Sequence, residues 1–127
     1  MSLLEETTRE INSLFKNYID LVAVLICDCE GASVLKLISD NHVNNLQQGN
    51  FMMQKLISCS ENVCKLELGE CKRIVSQFDD YQMVTFFKDR LVVTLIGNNQ
   101  IETGTLISLE SEFKTICDTI QAEIKGI

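Results

Sequence analysis

Residues 81–110 read YQMVTFFKDRLVVTLIGNNQIETGTLISLE, and this stretch decides the fold. Tyr81 to Phe87 and Leu91 to Ile96 are short runs rich in β-branched and aromatic residues, separated by the polar turn Lys88-Asp89-Arg90, the pattern of two adjacent strands. The second run is almost wholly apolar, which suits a strand covered on both faces rather than one with a wet side. Beyond the Gly and Asn residues that end it, Leu106, Leu109, Phe113, Ile116, Cys117, Ile120 and Ile124 recur at three- and four-residue spacing. That period predicts one amphipathic helix, with Thr103 placed to cap it. Strand, strand and helix in direct succession specify a small mixed α/β domain.

Upstream, Leu21 to Cys27 is apolar at every position and predicts a second central strand. Asp28-Cys29-Glu30-Gly31 has hairpin-turn composition and leads into a strand carrying Val34, Leu35, Leu37 and Ile38. Cys71 to Phe78 alternates imperfectly. Ile74 and Phe78 fall on one face and Arg73, Val75 and Gln77 on the other, which reads as an edge strand. At the N-terminus, Ser2 and Glu5 fit a capping box ahead of a helix bearing Leu4, Ile11, Leu14, Phe15 and Tyr18. A further helix is predicted after Asn50, where Met52, Met53, Leu56, Ile57, Cys59, Val63 and Cys64 make a broad apolar face. Phe51 falls on its polar side with Lys55, Ser58 and Asn62, where a large aromatic requires cover. The expected order is helix, two strands, helix, three strands, helix. This is an α/β (α+β) domain spanning residues 1–127, whose five-stranded, mainly antiparallel sheet is covered by one helix on one face and two on the other.

Composition removes several functions. The chain has 127 residues with 11 Lys plus Arg against 18 Asp plus Glu, a formal charge of −7. No basic run in the sequence could neutralise several phosphates, so nucleic acid is not expected as a partner. The same charge disfavours direct attachment to an anionic bilayer, leaving only indirect membrane association. The opening Met1-Ser2-Leu3-Leu4-Glu5-Glu6 lacks the order of a signal peptide, so a cytosolic location is expected. The six cysteines, Cys27, Cys29, Cys59, Cys64, Cys71 and Cys117, form no C-x-x-C pair, and His42 is the one histidine. Reduced, structural thiols are expected, the alternative being a soft-metal site built from Cys27 and Cys29 with Cys117 or Cys71. The acidic pairs Asp79-Asp80 and Asp28/Glu30 sit where turns favour carboxylates, and Arg73 and Arg90 read as solvated side chains rather than arginine fingers. No catalytic, cofactor-binding or metal-ligating residue is expected.

From about Leu21 to Glu123 the chain resembles the roadblock-domain family, and within it the MEK-partner scaffold subunits of Ragulator complexes. The matching segments are VAVLICDCEGASVLKL, CKLELGECKRIV, YQMVTF, RLVVTLIG and TGTLISLE. Their order and spacing carry the resemblance, above all Tyr81-Gln82 before the fourth strand and Thr103-Gly104 before the last helix. The resemblance implies a non-enzymatic scaffold that heterodimerises with a second roadblock subunit. With other Ragulator subunits, one of them lipidated, the pair would sit on the cytosolic face of late endosomes and lysosomes. There it would support recruitment of Rag GTPases for mTOR nutrient signalling and of MEK and ERK kinases for MAP-kinase signalling. It also implies a pairing face made by the second helix and third strand. In this sequence those positions are Met52, Lys55, Leu56 and Cys59, with Phe51 beside them, and Arg73, Val75 and Gln77. Independently, an edge strand with unpaired backbone groups calls for cover, which a partner strand would supply. The alternative implied is a homodimeric roadblock protein acting on a small GTPase or a dynein motor.

Overall fold

The apolar runs of the sequence become the middle of one sheet. A computed structural model describes residues 3–28, 32–39, 66–88 and 90–125. In chain order the elements are α1 (Leu3–Asn17), β1 (Leu21–Asp28), β2 (Ser33–Ile38), β3 (Arg73–Gln77), β4 (Tyr81–Lys88), β5 (Leu91–Asn98), α2 (Thr103–Ser108) and α3 (Glu110–Lys125). The five strands lie in the order β2-β1-β5-β4-β3, and every pairing is antiparallel. β5 occupies the centre with β1 and β4 on either side, which is why Leu21 to Cys27 and Leu91 to Gly97 are buried throughout. A strand with neighbours on both edges and cover on both faces has no position left for a polar side chain that lacks a partner.

Alternation along the strands sorts these side chains into two cores. On one face Leu21, Val24, Ile26, Val84, Phe86, Leu91, Val93 and Leu95 pack with Ile11 and Leu14 of α1, Leu106 of α2, Leu109, and Phe113, Ile116, Cys117 and Ile120 of α3. The Phe86 and Phe113 rings meet edge-on, centroids 6.1 Å apart at 63°. On the other face Val22, Ala23, Leu25, Cys27, Met83, Val92 and Ile96 form a second buried cluster. Val22 and Ala23 lie on this same face because the β1–β5 register shifts between Leu21 and Ala23, a bulge that resets the alternation. Thr85 and Thr94 oppose each other across β4 and β5. Their hydroxyls share a 2.9 Å hydrogen bond, so two buried polar groups satisfy each other between apolar neighbours.

The expected sheet and the two flanking helices on one face are present. The predicted helix after Asn50, the Cys29-Glu30-Gly31 turn, the cap at Ser2 and the loop containing His42 lie outside the described residues. The turn is visible at its ends, where the Asp28 carboxylate accepts from the Ala32 N–H at 2.9 Å and the Asp28 N–H donates to the Ala32 carbonyl at 3.0 Å.

The last helix departs from expectation in two ways. It is two helices, α2 and α3, with Leu109 between them. The Leu109 N–H is shared between the Thr105 and Leu106 carbonyls at 3.3 Å, and the Glu112 N–H reaches the Leu109 carbonyl at 2.9 Å. The i→i+3 bonds to Leu106 and Leu109 tighten one turn while the apolar stripe continues. Thr103 does not cap the helix either. The N-cap is Glu102, with no side-chain cap bond, and the Thr103 hydroxyl donates instead to Gln82 Oε1 at 2.6 Å. A nearly buried glutamine carbonyl loses more when unpaired than a helix-end N–H that water can reach.

Gly97 is required by close approach. A β-carbon there would stand 2.6 Å from the Ile101 Cγ2 methyl and 3.5 Å from the Asp20 carbonyl. Ile101 is itself β-branched and buried, so it has little freedom to move aside. Gly97→Ala is therefore expected to lower stability by about 1–2 kcal/mol, read as an earlier denaturant midpoint at unchanged slope.

Candidate partner interface

β3 is the edge that the sequence singles out. Its exposure alternates, with Arg73, Val75 and Gln77 exposed and Ile74 and Ser76 half-buried. It pairs with β4 through Arg73 opposite Phe86, Ile74 opposite Thr85, Val75 opposite Val84, Ser76 opposite Met83 and Gln77 opposite Gln82. The flanking bonds fix which groups look outward. The Phe87 N–H donates to the Lys72 carbonyl at 3.3 Å and the Phe78 N–H to the Tyr81 carbonyl at 2.8 Å. Antiparallel bonding alternates by residue, so positions 74 and 76 also bond to β4 while the N–H and C=O groups of Arg73, Val75 and Gln77 point away from it. Among the described residues no strand pairs with that edge. It is a row of backbone donors and acceptors suited to a second strand.

Of the expected interface, the structure therefore brings Arg73, Val75 and Gln77 together on one edge. Phe51, Met52, Lys55, Leu56 and Cys59 lie outside the described residues. The three strand residues play different parts. Register places their side chains on the face that α1, α2 and α3 cover, because they oppose Phe86, Val84 and Gln82. The Arg73 guanidinium is bonded at 2.6 Å to Glu110 at the start of α3, so its side chain turns inward over the helix and its backbone faces the open edge. Val75, 42% exposed, is the apolar residue at the middle of the strand.

Three further apolar side chains stand in solvent on this part of the chain. Phe78, just past β3, is 56% exposed, and Leu66 and Leu68 in the segment leading to β3 are 63% and 86% exposed. Between and after the two leucines the backbone is left-handed, at Glu67 (φ 59°) and Gly69 (φ 100°). A non-glycine residue at that φ is uncommon and fixes how the leucines project. The LELGE spacing, apolar residues alternating with acidic ones, was the available sequence signal for them.

Of the residues weighed for chemistry, Cys29 and Glu30 lie outside the described residues. Cys27 lies in the core facing away from the described helices and Cys117 in the core beneath them, so the sheet separates the two thiols. Cys71 is next to the opposite edge strand. Among the described residues no three His, Cys, Asp or Glu side chains converge as a metal site. Asp79 and Asp80 are exposed in the turn between β3 and β4, where the Asp79 carbonyl accepts from Asn99 Nδ2 at 2.5 Å. No helix among the described residues is long and apolar enough to cross a membrane.

Comparison with known proteins identifies the family and the fold. A family described as "Mitogen-activated protein kinase kinase 1 interacting" matches residues 5–124. The human "Ragulator complex protein LAMTOR3" is 27% identical over 105 residues, covering 83% of this chain and 84% of that protein. Among solved structures, the gliding protein MglB of Thermus thermophilus superposes with a TM-score of 0.81 at 9% identity, over 95% of this chain and 93% of that one. The roadblock/LC7 domain from Streptomyces avermitilis superposes with a TM-score of 0.63 at 8% identity, over 81% of this chain and 88% of that one. The fold is thus the roadblock fold.

Proposed function

Because this chain belongs to the mitogen-activated protein kinase kinase 1 interacting family, we propose that it is a non-enzymatic scaffold subunit of a Ragulator-type complex. It pairs through β3 with a second roadblock-domain subunit to form a heterodimer. The open backbone edge at Arg73, Val75 and Gln77 carries the reading, since antiparallel addition of a partner strand satisfies those groups and extends the sheet across both subunits. Met52, Lys55, Leu56 and Cys59, with Phe51 beside them, complete the pairing face. Indirect attachment to late endosomes or lysosomes through another, lipidated subunit suits a chain of formal charge −7, which an anionic bilayer repels. In that position the pair presents surfaces to Rag GTPases in mTOR nutrient signalling and to MEK and ERK kinases in MAP-kinase signalling.

The test is native purification of the tagged chain from its own cells, with stoichiometry read by mass spectrometry. The expected result is a 1:1 companion of roadblock size, with further Ragulator subunits and Rag GTPases behind it. Recovery of the chain with itself alone would replace this reading by the homodimeric one, in which the same edge pairs two copies acting on a small GTPase or a dynein motor.

A further inference from the structure

Four of the chain's 11 basic side chains, Lys72, Arg73, Lys88 and Lys114, border one cavity of about 320 Å³. They come from the approach to β3, its first residue, the end of β4 and the first turns of α3, so no sequence window shows the cluster. Glu70 and Glu110 also line it. Among the described residues, four cations and two carboxylates give the rim +2 in a protein of net charge −7. Arg73 and Glu110 neutralise one another at 2.6 Å, whereas Lys72, Lys88 and Lys114 make no ion pair among the described residues. Phe86, Phe87 and Phe113 line the cavity floor; Phe86 and Phe113 are buried, so the half-buried Phe87 supplies the accessible apolar surface. Its volume falls at the lower end of the roughly 300–1,000 Å³ typical of ligand pockets.

We propose that this cavity is a docking pocket for an acidic peptide segment of a partner protein, a segment that inserts one apolar anchor side chain between flanking carboxylates. A lysine rim with no ion pair among the described residues, over an apolar floor, complements that chemistry on both counts. Nucleic acid fits less well, because four cations beside two carboxylates in a chain of net charge −7 would neutralise few phosphates. A bilayer fits less well because the remainder of the surface is acidic. The pocket is separate from the strand-pairing edge: the Arg73 backbone faces the edge, while its side chain closes one wall of the cavity. Pairing and peptide docking are therefore compatible in one molecule.

The probe is a fluorescein-labelled ten-residue peptide of aspartate and glutamate with one central leucine, titrated by anisotropy into the full chain in the complex with which it purifies. Two controls replace the leucine by serine or the acidic residues by lysine. Saturable binding of the leucine peptide is expected, with affinity falling as salt rises. The exposed-site double variant Lys72→Glu/Lys114→Glu should weaken it by about tenfold or more, while circular dichroism and the subunit stoichiometry stay unchanged. That last readout separates failure of this proposal from failure of the scaffold reading. Equal affinity for the wild-type and charge-reversed proteins, or for the leucine and serine peptides, would overturn the proposal. So would the absence of peptide binding alongside lysine-dependent binding to phosphatidylserine vesicles, which would assign the cavity to lipid headgroups.

Discussion

Replacing Val75 by proline is expected to abolish partner binding while leaving the chain folded. The Val75 N–H is one of the groups directed away from β4, so its loss removes nothing from the β3–β4 ladder. Proline is accommodated on edge strands where the missing donor faces outward, and its fixed φ is compatible with extended backbone. A partner strand bonding across that edge would lose a central hydrogen bond and meet the pyrrolidine ring. A cost of about 3 kcal/mol corresponds to more than a hundredfold in dissociation constant. The neighbouring substitution behaves in the opposite way. Ser76→Pro removes an N–H directed at Met83, so the fold itself is expected to weaken by about 3 kcal/mol. Val75→Lys keeps the backbone donor and adds an edge charge of the kind that deters strand addition, so an intermediate loss is expected. Calorimetric titration against the partner subunit, with circular dichroism on each variant, distinguishes these cases. Wild-type affinity in a folded Val75→Pro chain would show that β3 is not the pairing edge.

This contrast also shows what the sequence could carry. The edge was legible because β3 sets Ile74 and Val75 among Arg73, Ser76 and Gln77, more polar side chains than a strand covered on both faces can supply with partners. The central strands were legible for the converse reason, since Leu21 to Cys27 offers no polar position at all. That uniformity hid the bulge: Val22 and Ala23 are both apolar, so the shift of phase between them leaves no mark in composition. Likewise the stripe from Leu106 to Ile120 keeps its period through Leu109, so the division into α2 and α3 appears only in the backbone bonds. The candidate interface was readable as far as its strand. The Arg73–Glu110 ion pair joins positions 37 residues apart, and the basic cavity gathers side chains from Lys72 to Lys114. Such convergence is set by register and helix placement, which local spacing does not encode. Thr103 is the instructive case. Its position before the helix suggested a cap, but a buried acceptor one strand away claims its hydroxyl.

That acceptor belongs to Gln82, and Gln82→Leu is expected to be the most damaging single substitution of a polar residue in the described structure. The side chain is 4% exposed. Its amide nitrogen donates to the Asn98 carbonyl at 3.1 Å and the Ile101 carbonyl at 2.5 Å, and its oxygen accepts from Thr103. One glutamine thereby stitches the start of β4 to the end of β5, to the following loop and to the first residue of α2. Asn98 extends the stitch, because its side-chain amide donates to the Asp20 carboxylate at 3.0 Å and its backbone N–H to the Asp20 carbonyl at 3.0 Å. Leucine fills nearly the same volume but leaves two carbonyls and a hydroxyl without their partner. At about 1–3 kcal/mol for each of the three groups stranded, and with about 1 kcal/mol regained from added apolar burial, the net loss is about 2–8 kcal/mol. For a domain of this size that lowers the melting temperature by about 10 °C or more. Thr103→Val removes only the shared bond and is expected to cost about 1 kcal/mol. The double variant should fall short of the sum, because both single changes delete the same contact. The effect should reach the interface as well. Gln82 is the residue opposite Gln77 at the end of β3, so loosening this end of β4 removes the support beneath the outward-facing groups of Gln77. Partner affinity measured below the variant's melting temperature should therefore fall, and Thr103→Val should restore neither quantity. If Gln82→Leu melted with the wild type, the network would be ornamental, and the Tyr81-Gln82 and Thr103-Gly104 segments would need a reason other than mutual anchoring.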